Sequence, residues 1–167
     1  SRRFIRANAK QLQALCERQL EQYDVVALLL DGKTFAEDEI VIALGITVTG
    51  EKVILGFVQT ATENERVCAA LLRELIERGL QIEQGLLCVI DGAKGLRKAI
   101  QTVFGSQALV QRCQWHKRDN IVRYLPKGQQ APWRRKLQAA YEQPTYVLAK
   151  AALLRHRTEL RLLNASA

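Results

Sequence analysis

The sequence predicts an α/β protein with a mixed five-stranded sheet, and three observations lead to this prediction. Two continuous apolar runs, residues 25–30 and 86–90, are typical of strands that are covered on both faces. A turn at residues 49–51 separates two further strand-like runs, which should pair as an antiparallel hairpin. Helical periodicity over residues 64–78 provides the long crossover that a parallel neighbour needs. The predicted strand order is 3-2-1-4-5, with strand 2 antiparallel.

The first half of the chain contains most of these elements. Residues 4–22 have helical spacing, which predicts an N-terminal docking helix within residues 1–24. An acidic loop at residues 37–39 should follow the first strand. Thr62 and Glu65 have the spacing of a capping box at the start of the crossover helix.

The second half is predicted to be mainly helical. A helix over residues 95–104 should stop at Gly105, and residues 108–113 are predicted to form the last strand. From residue 117 onward the pattern is helical, with breaks near Pro126 and Pro144. Flanking helices therefore accompany the sheet, and a helical extension follows it.

Charge is distributed unevenly along the chain. The net formal charge is +8, but residues 25–91 carry −6 and residues 92–167 carry +12. A strongly basic half is expected of a protein that binds a polyanion, although a solvated basic surface would have the same composition. No apolar run approaches the roughly 20 residues of a membrane span, and the four cysteines are widely separated. We therefore expect a cytoplasmic protein with no membrane partner.

Two similar segments follow the first and fourth predicted strands. Asp31 is followed by glycine and Lys33, and Asp91 by glycine and, two residues later, Lys94. In adjacent parallel strands, the two carboxylates would converge at one end of the sheet, where a divalent cation could relieve their repulsion. Lys33 and Lys94 could neutralise phosphate oxygens beside them. Asp-Gly is also a common turn former, so each segment alone has a purely structural interpretation.

A basic stretch near the last predicted strand is interleaved with aromatic residues. This arrangement favours contacts with a nucleic-acid backbone and occasional stacking on bases. His116 could approach DNA or orient an active site, or it could be a packed histidine bonded to the backbone. The cations of this stretch are Arg112, Lys117, Arg118 and Arg123, and its aromatic residues are Trp115 and Tyr124.

Seven short motifs, in this order and spacing, resemble the mutator-type family of bacterial insertion-sequence transposases. The resemblance covers most of the chain. The motifs are Asp31-Gly32-Lys33 and residues 43–45, 52–56, 62–64, 77–80, 90–97 and 112–120.

The resemblance implies a ribonuclease H-like core that cuts DNA and joins its 3′ end to a target. It implies an Asp, Asp, Glu triad with two Mg2+ (or Mn2+) ions, in which Asp31 is the first acid and Asp91 the second. Arg97 joins the predicted DNA-binding residues through its matching motif. Residues 25–126 would be the catalytic core, and residues 127–167 would begin an insertion domain. The full-length protein would be a homo-oligomer associated with the bacterial nucleoid.

The chain departs from the family pattern at the third acid. In the family this residue follows a helical insertion within a Thr-Asn-Pro-Ile-Glu-like stretch, and no such stretch occurs before Ala167. We expect Glu142 and Glu159 to have surface or interhelical roles. Strand transfer by residues 1–167 alone should therefore be absent or impaired.

Cys113 and His116 resemble the cysteine-histidine signature of the family. A zinc site needs four ligands, and the sequence offers no second pair of suitable spacing, so zinc is not predicted. Two alternatives to a transposase core remain open. One is a non-catalytic DNA-binding or regulatory remnant, and the other is a metal-dependent nuclease of the same fold that recruits Glu142 or Glu159.

Overall fold

A computed structural model describes residues 2–35, 38–60 and 64–166, with side chains placed from Lys10 onward apart from those of Phe35 and Asp38. The described chain consists of two compact units, residues 1–111 and 112–167. The boundary lies at the end of the last strand. No helix in the described ranges is long and apolar enough to span a membrane.

The first unit contains a five-stranded sheet in the order β3-β2-β1-β4-β5, as predicted. Strand β1 pairs antiparallel with β2 and parallel with β4, and β2 pairs antiparallel with β3. The β2–β3 turn contains Gly50 with a φ of 84°, as the hairpin prediction requires. The strands are β1 (Val25–Phe35), β2 (Asp38–Thr47), β3 (Lys52–Thr60), β4 (Leu86–Ile90) and β5 (Ala108–Arg112).

The length of β1 differs from the prediction. The apolar run suggested that the strand ends at Asp31, but β1 continues to Phe35 because Gly32, Lys33 and Thr34 all pair with β2. Asp38 and Glu39 are likewise strand residues and not a loop, whereas Glu37 lies outside the described residues. Cross-strand hydrogen bonding extends the hairpin through polar residues that local hydrophobicity excludes.

Three helices belong to the first unit. Helix α1 (Arg2–Glu17) ends five residues earlier than its periodicity suggested. Helix α2 (Glu65–Glu77) is capped by Asn64, whose Oδ1 accepts a hydrogen bond from Val67 N at 3.1 Å. The capping residue is therefore Asn64, whereas the predicted Thr62 lies outside the described residues. Helix α3 (Lys94–Phe104) ends at Gly105, as predicted.

Arg78 ties α1 to the rest of the first unit. Its side chain is buried, and its guanidinium donates hydrogen bonds to the carbonyl oxygens of Leu15 (2.8 Å), Arg18 (3.0 Å) and Leu55 (2.9 Å). The first two acceptors lie at the C-terminal end of α1, where carbonyl groups lack helical partners. A single buried arginine thus holds the end of α1 against β3.

The core of the first unit lies between one face of the sheet and helices α2 and α3. Leu28, Leu30, Cys88 and Ile90 are buried there, and burial raises the pKa of the Cys88 thiol to about 12. The intervening positions are more exposed: Ala27, Leu29 and Val89 are half-buried, and Leu87 is 41% exposed. The prediction of strands covered on both faces is therefore wrong at Leu87, because α2 and α3 pack against the face that carries Cys88 and Ile90.

The second unit consists of three helices, and its breaks fall where the prolines predicted them. They are α4 (Gln114–Arg123), α5 (Lys127–Tyr141) and α6 (Tyr146–Leu163). Trp133 and Leu137 project from one face of α5 into a small core with Val122, Leu125 and Leu160. Thr145 caps α6 by accepting a hydrogen bond from Leu148 N at 3.3 Å.

Candidate functional site

Asp31 and Asp91 occupy equivalent places on two adjacent strands. The parallel register between β1 and β4 ends with Leu30 opposite Ile90, and each aspartate is the next residue. Leu30 is buried under the helices, so strand alternation directs Asp31 to the opposite face, and Asp91 follows buried Ile90 at the same end of the sheet. Neighbouring strands lie about 4.8 Å apart. The structure thus brings together the two acids that the sequence pairs.

The backbones around the two aspartates differ. Asp31 is within β1, paired with Ile42, and Gly32 is paired with Val41. Asp91 follows the end of β4, and its Oδ1 accepts a hydrogen bond from Ala93 N at 2.8 Å. Gly92 has a φ of 109°, a conformation that residues with a Cβ rarely adopt. The Asp-Gly turn interpretation is therefore correct for the second segment and wrong for the first.

Lys33 lies beside the first aspartate. Its Nζ is 3.1 Å from Asp31 Oδ2, and the two side chains are 60% and 37% exposed. An ion pair this exposed contributes about 0 to 1 kcal/mol and is readily displaced by a competing cation. Lys33 therefore provides a weak local counterion for Asp31.

The two carboxylates fit part of a site for a hard divalent cation. Both are partly exposed at the same end of the sheet, and carboxylate oxygens are the ligands that Mg2+ and Mn2+ prefer. Across the described ranges, no group of three or more His, Cys, Asp or Glu residues is arranged to hold a metal ion. Asp31 and Asp91 would thus supply two ligands, and water or substrate oxygens would complete the coordination.

Two further predicted DNA-binding residues project from the start of α3. Lys94 is the first residue of this helix, three positions after Asp91, and Arg97 lies one turn further on. Both side chains are exposed. The neighbouring Lys98 is instead engaged by Glu65, with 2.7 Å between Nζ and Oε2. Lys94 and Arg97 are thus the α3 cations best placed to meet a polyanion near Asp91.

Three other predicted DNA-binding residues share one cavity in the second unit. Arg112, Lys117 and Arg123 are all exposed and line a cavity of about 430 Å³. Arg123 also pairs with Asp119 at 2.9 Å. The structure therefore gathers these cations around one concave surface on α4.

Arg118 is placed differently from the other cations of α4. Its side chain is half-buried and donates a hydrogen bond to Gln138 Oε1 on α5. Burial raises the pKa of the Tyr141 phenol, and the positive charges of Arg112 and Arg118 oppose that rise. Arg118 therefore joins α4 to α5, and its DNA-binding role stays a prediction.

Cys113 and His116 lie at the beginning of α4. Cys113 is the half-buried residue that precedes the helix, and His116 is half-buried within its first turn. The His116 ring packs edge-on against Trp115, with 4.8 Å between ring centroids. This contact is local packing of the kind that the alternative interpretation of His116 predicts, and a role toward DNA stays a prediction.

Asp119 anchors a charged network that the sequence analysis missed. Arg134 on α5 donates a hydrogen bond to Asp119 Oδ1 at 2.9 Å, and Arg123 pairs with Oδ2 at 2.9 Å. The Asp119 pKa is lowered, mainly by the hydrogen bond from Arg134 and further by the charge of Arg123. Burial of the carboxylate opposes this shift. The i,i+4 spacing of Asp119 and Arg123 was a detectable signal.

Glu142 and Glu159 have the surface and interhelical roles that the sequence predicted. Glu142 follows α5 and accepts a hydrogen bond from Gln138 Nε2 at 2.5 Å. Lys136 Nζ on α5 donates a hydrogen bond to Glu159 Oε2 on α6 at 3.0 Å. This hydrogen bond is the main reason why the Glu159 pKa is lowered. Both glutamates are therefore accounted for by contacts within the second unit.

The strand order and directions described above are those of a ribonuclease H-like α/β fold. The sequence model of the family described as "Transposase, Mutator family" matches residues 6–162. The chain therefore belongs to the Mutator transposase family.

Several curated transposases are similar in sequence. The transposase for insertion sequence element IS256 in transposon Tn4001 of Staphylococcus aureus is 34% identical over 111 residues, which are 66% of this chain and 28% of the relative. The transposase for IS905 of Lactococcus lactis is 34% identical over 145 residues, 82% of this chain and 36% of the relative. A probable transposase of Corynebacterium diphtheriae is 29% identical over 143 residues. The chain spans between 28% and 41% of the length of these three relatives.

Proposed function

We propose that this chain contributes the first two acids of a DNA transposase active site, which acts by metal-dependent phosphoryl transfer. The observation that carries the proposal is the matched position of Asp31 and Asp91, each directly after the last register pair of two adjacent parallel strands. Because neighbouring strands lie about 4.8 Å apart, carboxylates at these adjacent positions could act on one substrate group. Membership in the Mutator transposase family supports the same chemistry.

Asp31 and Asp91 would hold Mg2+ (or Mn2+), two ions in the complete site. When bound, the ions supply activation of a water or hydroxyl nucleophile and stabilisation of the leaving oxygen. The two carboxylates would hold the metal at one end of the sheet, and Lys33 would give up its exposed ion pair with Asp31. Lys94 and Arg97 would neutralise non-reacting phosphate oxygens.

The basic residues of the second unit would bind the DNA backbone. Arg112, Lys117 and Arg123 carry this part of the proposal because they line one exposed surface. His116 and Arg118 would assist from the same helix. Counterion release from DNA would provide most of the binding free energy and would make the affinity salt-dependent.

The organisation of the whole protein is part of the same proposal. Residues 25–126 would form the catalytic core, residues 1–24 a docking helix, and residues 127–167 the start of an insertion domain. The full-length protein would act on transposon ends and target DNA as a homo-oligomer in the bacterial cytoplasm, at the nucleoid. No third acid is assigned within residues 1–167, so we expect these residues alone to bind metal and DNA with cleavage and joining impaired.

A second candidate function is DNA binding without catalysis. The observation that favours it is the Lys33–Asp31 ion pair, because an ammonium group already neutralises one of the two carboxylates. If that pair persists against divalent cations, the chain would be a regulatory or DNA-binding form of a transposase. A nuclease of the same fold would require Glu142 or Glu159, and both have partners within the second unit.

Metal titration distinguishes the first two candidates. We expect calorimetry to detect Mn2+ binding by the wild-type chain. The Mn2+ affinity should be at least tenfold lower in Asp31→Asn and in Asp91→Asn. Asp24→Asn is the matched control, because Asp24 is an exposed aspartate that precedes β1 at the opposite end of the strand. Equal Mn2+ affinities in all four proteins would eliminate the two-aspartate site and favour the non-catalytic candidate.

DNA affinity measured across salt concentrations tests the basic surface. A steep fall in affinity between about 50 and 200 mM salt is expected if several phosphates are contacted. Lys117→Ala should reduce the slope, whereas Lys127→Ala, a change to an exposed lysine at the start of α5, should have less effect. A flat salt response in the wild type would contradict DNA binding by this surface.

A further inference from the structure

The cavity on α4 has features that backbone binding alone does not require. It has a volume of about 430 Å³, within the roughly 300 to 1,000 Å³ of small-molecule sites. A duplex backbone needs only an exposed row of cations, whereas a concave site can enclose a single group. The lining residues are Arg112, Lys117, Asn120, Ile121, Arg123, Tyr124 and Ser166.

Four of the lining residues form one stripe along α4. Lys117, Asn120, Ile121 and Tyr124 are spaced i, i+3, i+4 and i+7, so their side chains lie along the same side of the helix. Tyr124 caps the helix with αR backbone angles, which continue the helical spacing. The stripe therefore presents, over two turns of α4, a cation, an amide, an apolar side chain and an aromatic ring.

The charge of the lining selects an anion. It contains three cationic side chains and no carboxylate. Asp119 is adjacent in sequence, but its carboxylate is held by Arg134 and Arg123 at 2.9 Å each. Lys117 makes no ion pair with the described residues, so its ammonium is available to a phosphate.

The aromatic and amide groups add recognition of a flat, polar ring. The Tyr124 side chain is 55% exposed and can present its ring to a base. Asn120 lies one turn before it, and an amide can donate to and accept from a base edge. Stacking on the face of a base requires a nucleotide that is not paired inside a duplex, and its Watson–Crick edge is then accessible to the amide.

Hydrogen bonds hold residues 164–166 beside this stripe. Asn164 Nδ2 donates to the Tyr124 carbonyl oxygen at 2.9 Å, and Ser166 N donates to Asn164 Oδ1 at 2.9 Å. Ser166 thereby forms part of the wall. The cavity is thus a built surface in which the C-terminal end of α6 is fastened to the end of α4.

We propose that this cavity binds one unpaired nucleotide of a DNA strand, with its base on Tyr124, its base edge at Asn120 and its phosphate at Lys117 and Arg112. This inference rests on the proposed function, because it assumes that the second unit contacts DNA. It adds a preference for single-stranded over duplex DNA at a defined position. Backbone contacts by the same cations would not produce that preference.

The test compares fluorescent single-stranded and duplex oligonucleotides of equal length by anisotropy. Tyr124→Ala should weaken single-strand binding roughly 5- to 160-fold, since base stacking is worth about 1 to 3 kcal/mol, and should change duplex binding less than about twofold. Tyr124→Phe should bind like the wild type, whereas Tyr124→Leu should resemble Tyr124→Ala. Tyr146→Ala is the matched control, because Tyr146 is a 76% exposed tyrosine on α6 outside the cavity. It should change neither affinity.

Thermal unfolding of each variant separates binding from folding. If Tyr124→Ala is unfolded, Tyr124→Leu and Tyr124→Phe provide the comparison with a side chain of similar size. Salt-dependent DNA binding with equal affinities for both oligonucleotides in the wild type and in folded Tyr124 variants would overturn the nucleotide pocket and leave the proposed function intact. Absence of any salt-dependent DNA binding by the wild type would overturn both.

Discussion

The two Asp-Gly segments have the same sequence pattern but different structures. Asp31 and Gly32 continue β1 and pair with Ile42 and Val41, whereas Asp91 and Gly92 leave β4 in a turn stabilised by an aspartate side chain. Asp31 has a lysine as its counterion, and Asp91 accepts a backbone hydrogen bond. The comparison teaches that sheet register, and not the conformation of the dipeptide, brings the two carboxylates together.

The glycines should differ most in their tolerance of a side chain. Gly92 has a φ of 109°, so Gly92→Ala should destabilise the protein by about 1 to 3 kcal/mol through backbone strain. Gly32→Ala introduces no such strain, because Gly32 is extended within the ladder. Urea unfolding of the two variants measures the difference. Equal destabilisation would contradict the structural distinction between the segments.

Asp119 extends the comparison to a carboxylate that is held by two arginines. Asp119→Asn should lower the free energy of unfolding by about 1 to 2 kcal/mol at pH 7, because it weakens charged hydrogen bonds. Since the folded-state pKa of Asp119 is lowered, its stabilisation is present above the unfolded pKa of about 4 and disappears as the pH falls through the folded value. Urea unfolding followed by tryptophan fluorescence from pH 7 down to well below 3.8 tests this, because a lowered folded-state pKa keeps the carboxylate ionised below the pH at which a free aspartate is protonated. A difference between wild type and variant that persists at the lowest pH would contradict the assignment.

Asp91 should contribute more to stability than Asp31. Asp91→Ala removes the acceptor for Ala93 N and should cost about 1 kcal/mol, as the loss of a helix cap does. Asp91→Asn keeps an oxygen at that position and should retain most of the stability. Asp31→Ala removes the exposed ion pair with Lys33, and we expect the unfolding free energy to change by less than about 0.5 kcal/mol. A larger effect at Asp31 would reverse the comparison.

Replacing Lys33 should have the smallest effect on stability. It should strengthen metal binding, whereas replacing either aspartate should weaken it. Lys33→Gln should change stability by only a few tenths of a kcal/mol. Removing the competing ammonium should strengthen Mn2+ binding about two- to fivefold, which calorimetry can measure. Lys52→Gln, a change to an exposed lysine at the start of β3, is the control. Weaker Mn2+ binding in Lys33→Gln would argue against competition at Asp31.

The sequence predicted the element order because each element has a local signal. Apolar runs marked β1 and β4, Gly50 marked the hairpin, and Pro126 and Pro144 marked the helix breaks. The continuation of β1 through Lys33 and Thr34 had no such signal, since it depends on hydrogen bonds to β2. The exposure of one face of β1 and β4 also had no local signal, because an apolar run does not specify what covers each face of the strand.

The candidate site was predictable to the extent that it depends on strand order. Asp31 and Asp91 could be paired from sequence because a hairpin followed by one crossover helix leaves few topologies. The Asp119 network and the cavity beside Asn120 and Tyr124 were less visible. Both depend on helices α5 or α6 returning to α4, a contact that no local pattern encodes.

The sequence by itself determined the fold class, the strand order and the family resemblance, and it selected the two candidate acids. Those properties follow from periodicity, turn residues and motif spacing, which act over a few residues at a time. Only the tertiary structure decided that one Asp-Gly segment is strand and the other is turn, which cations line a shared cavity, and which face of the sheet is open. These depend on partners distant in the chain, because a backbone or charged group adopts the conformation that its hydrogen-bond partners allow.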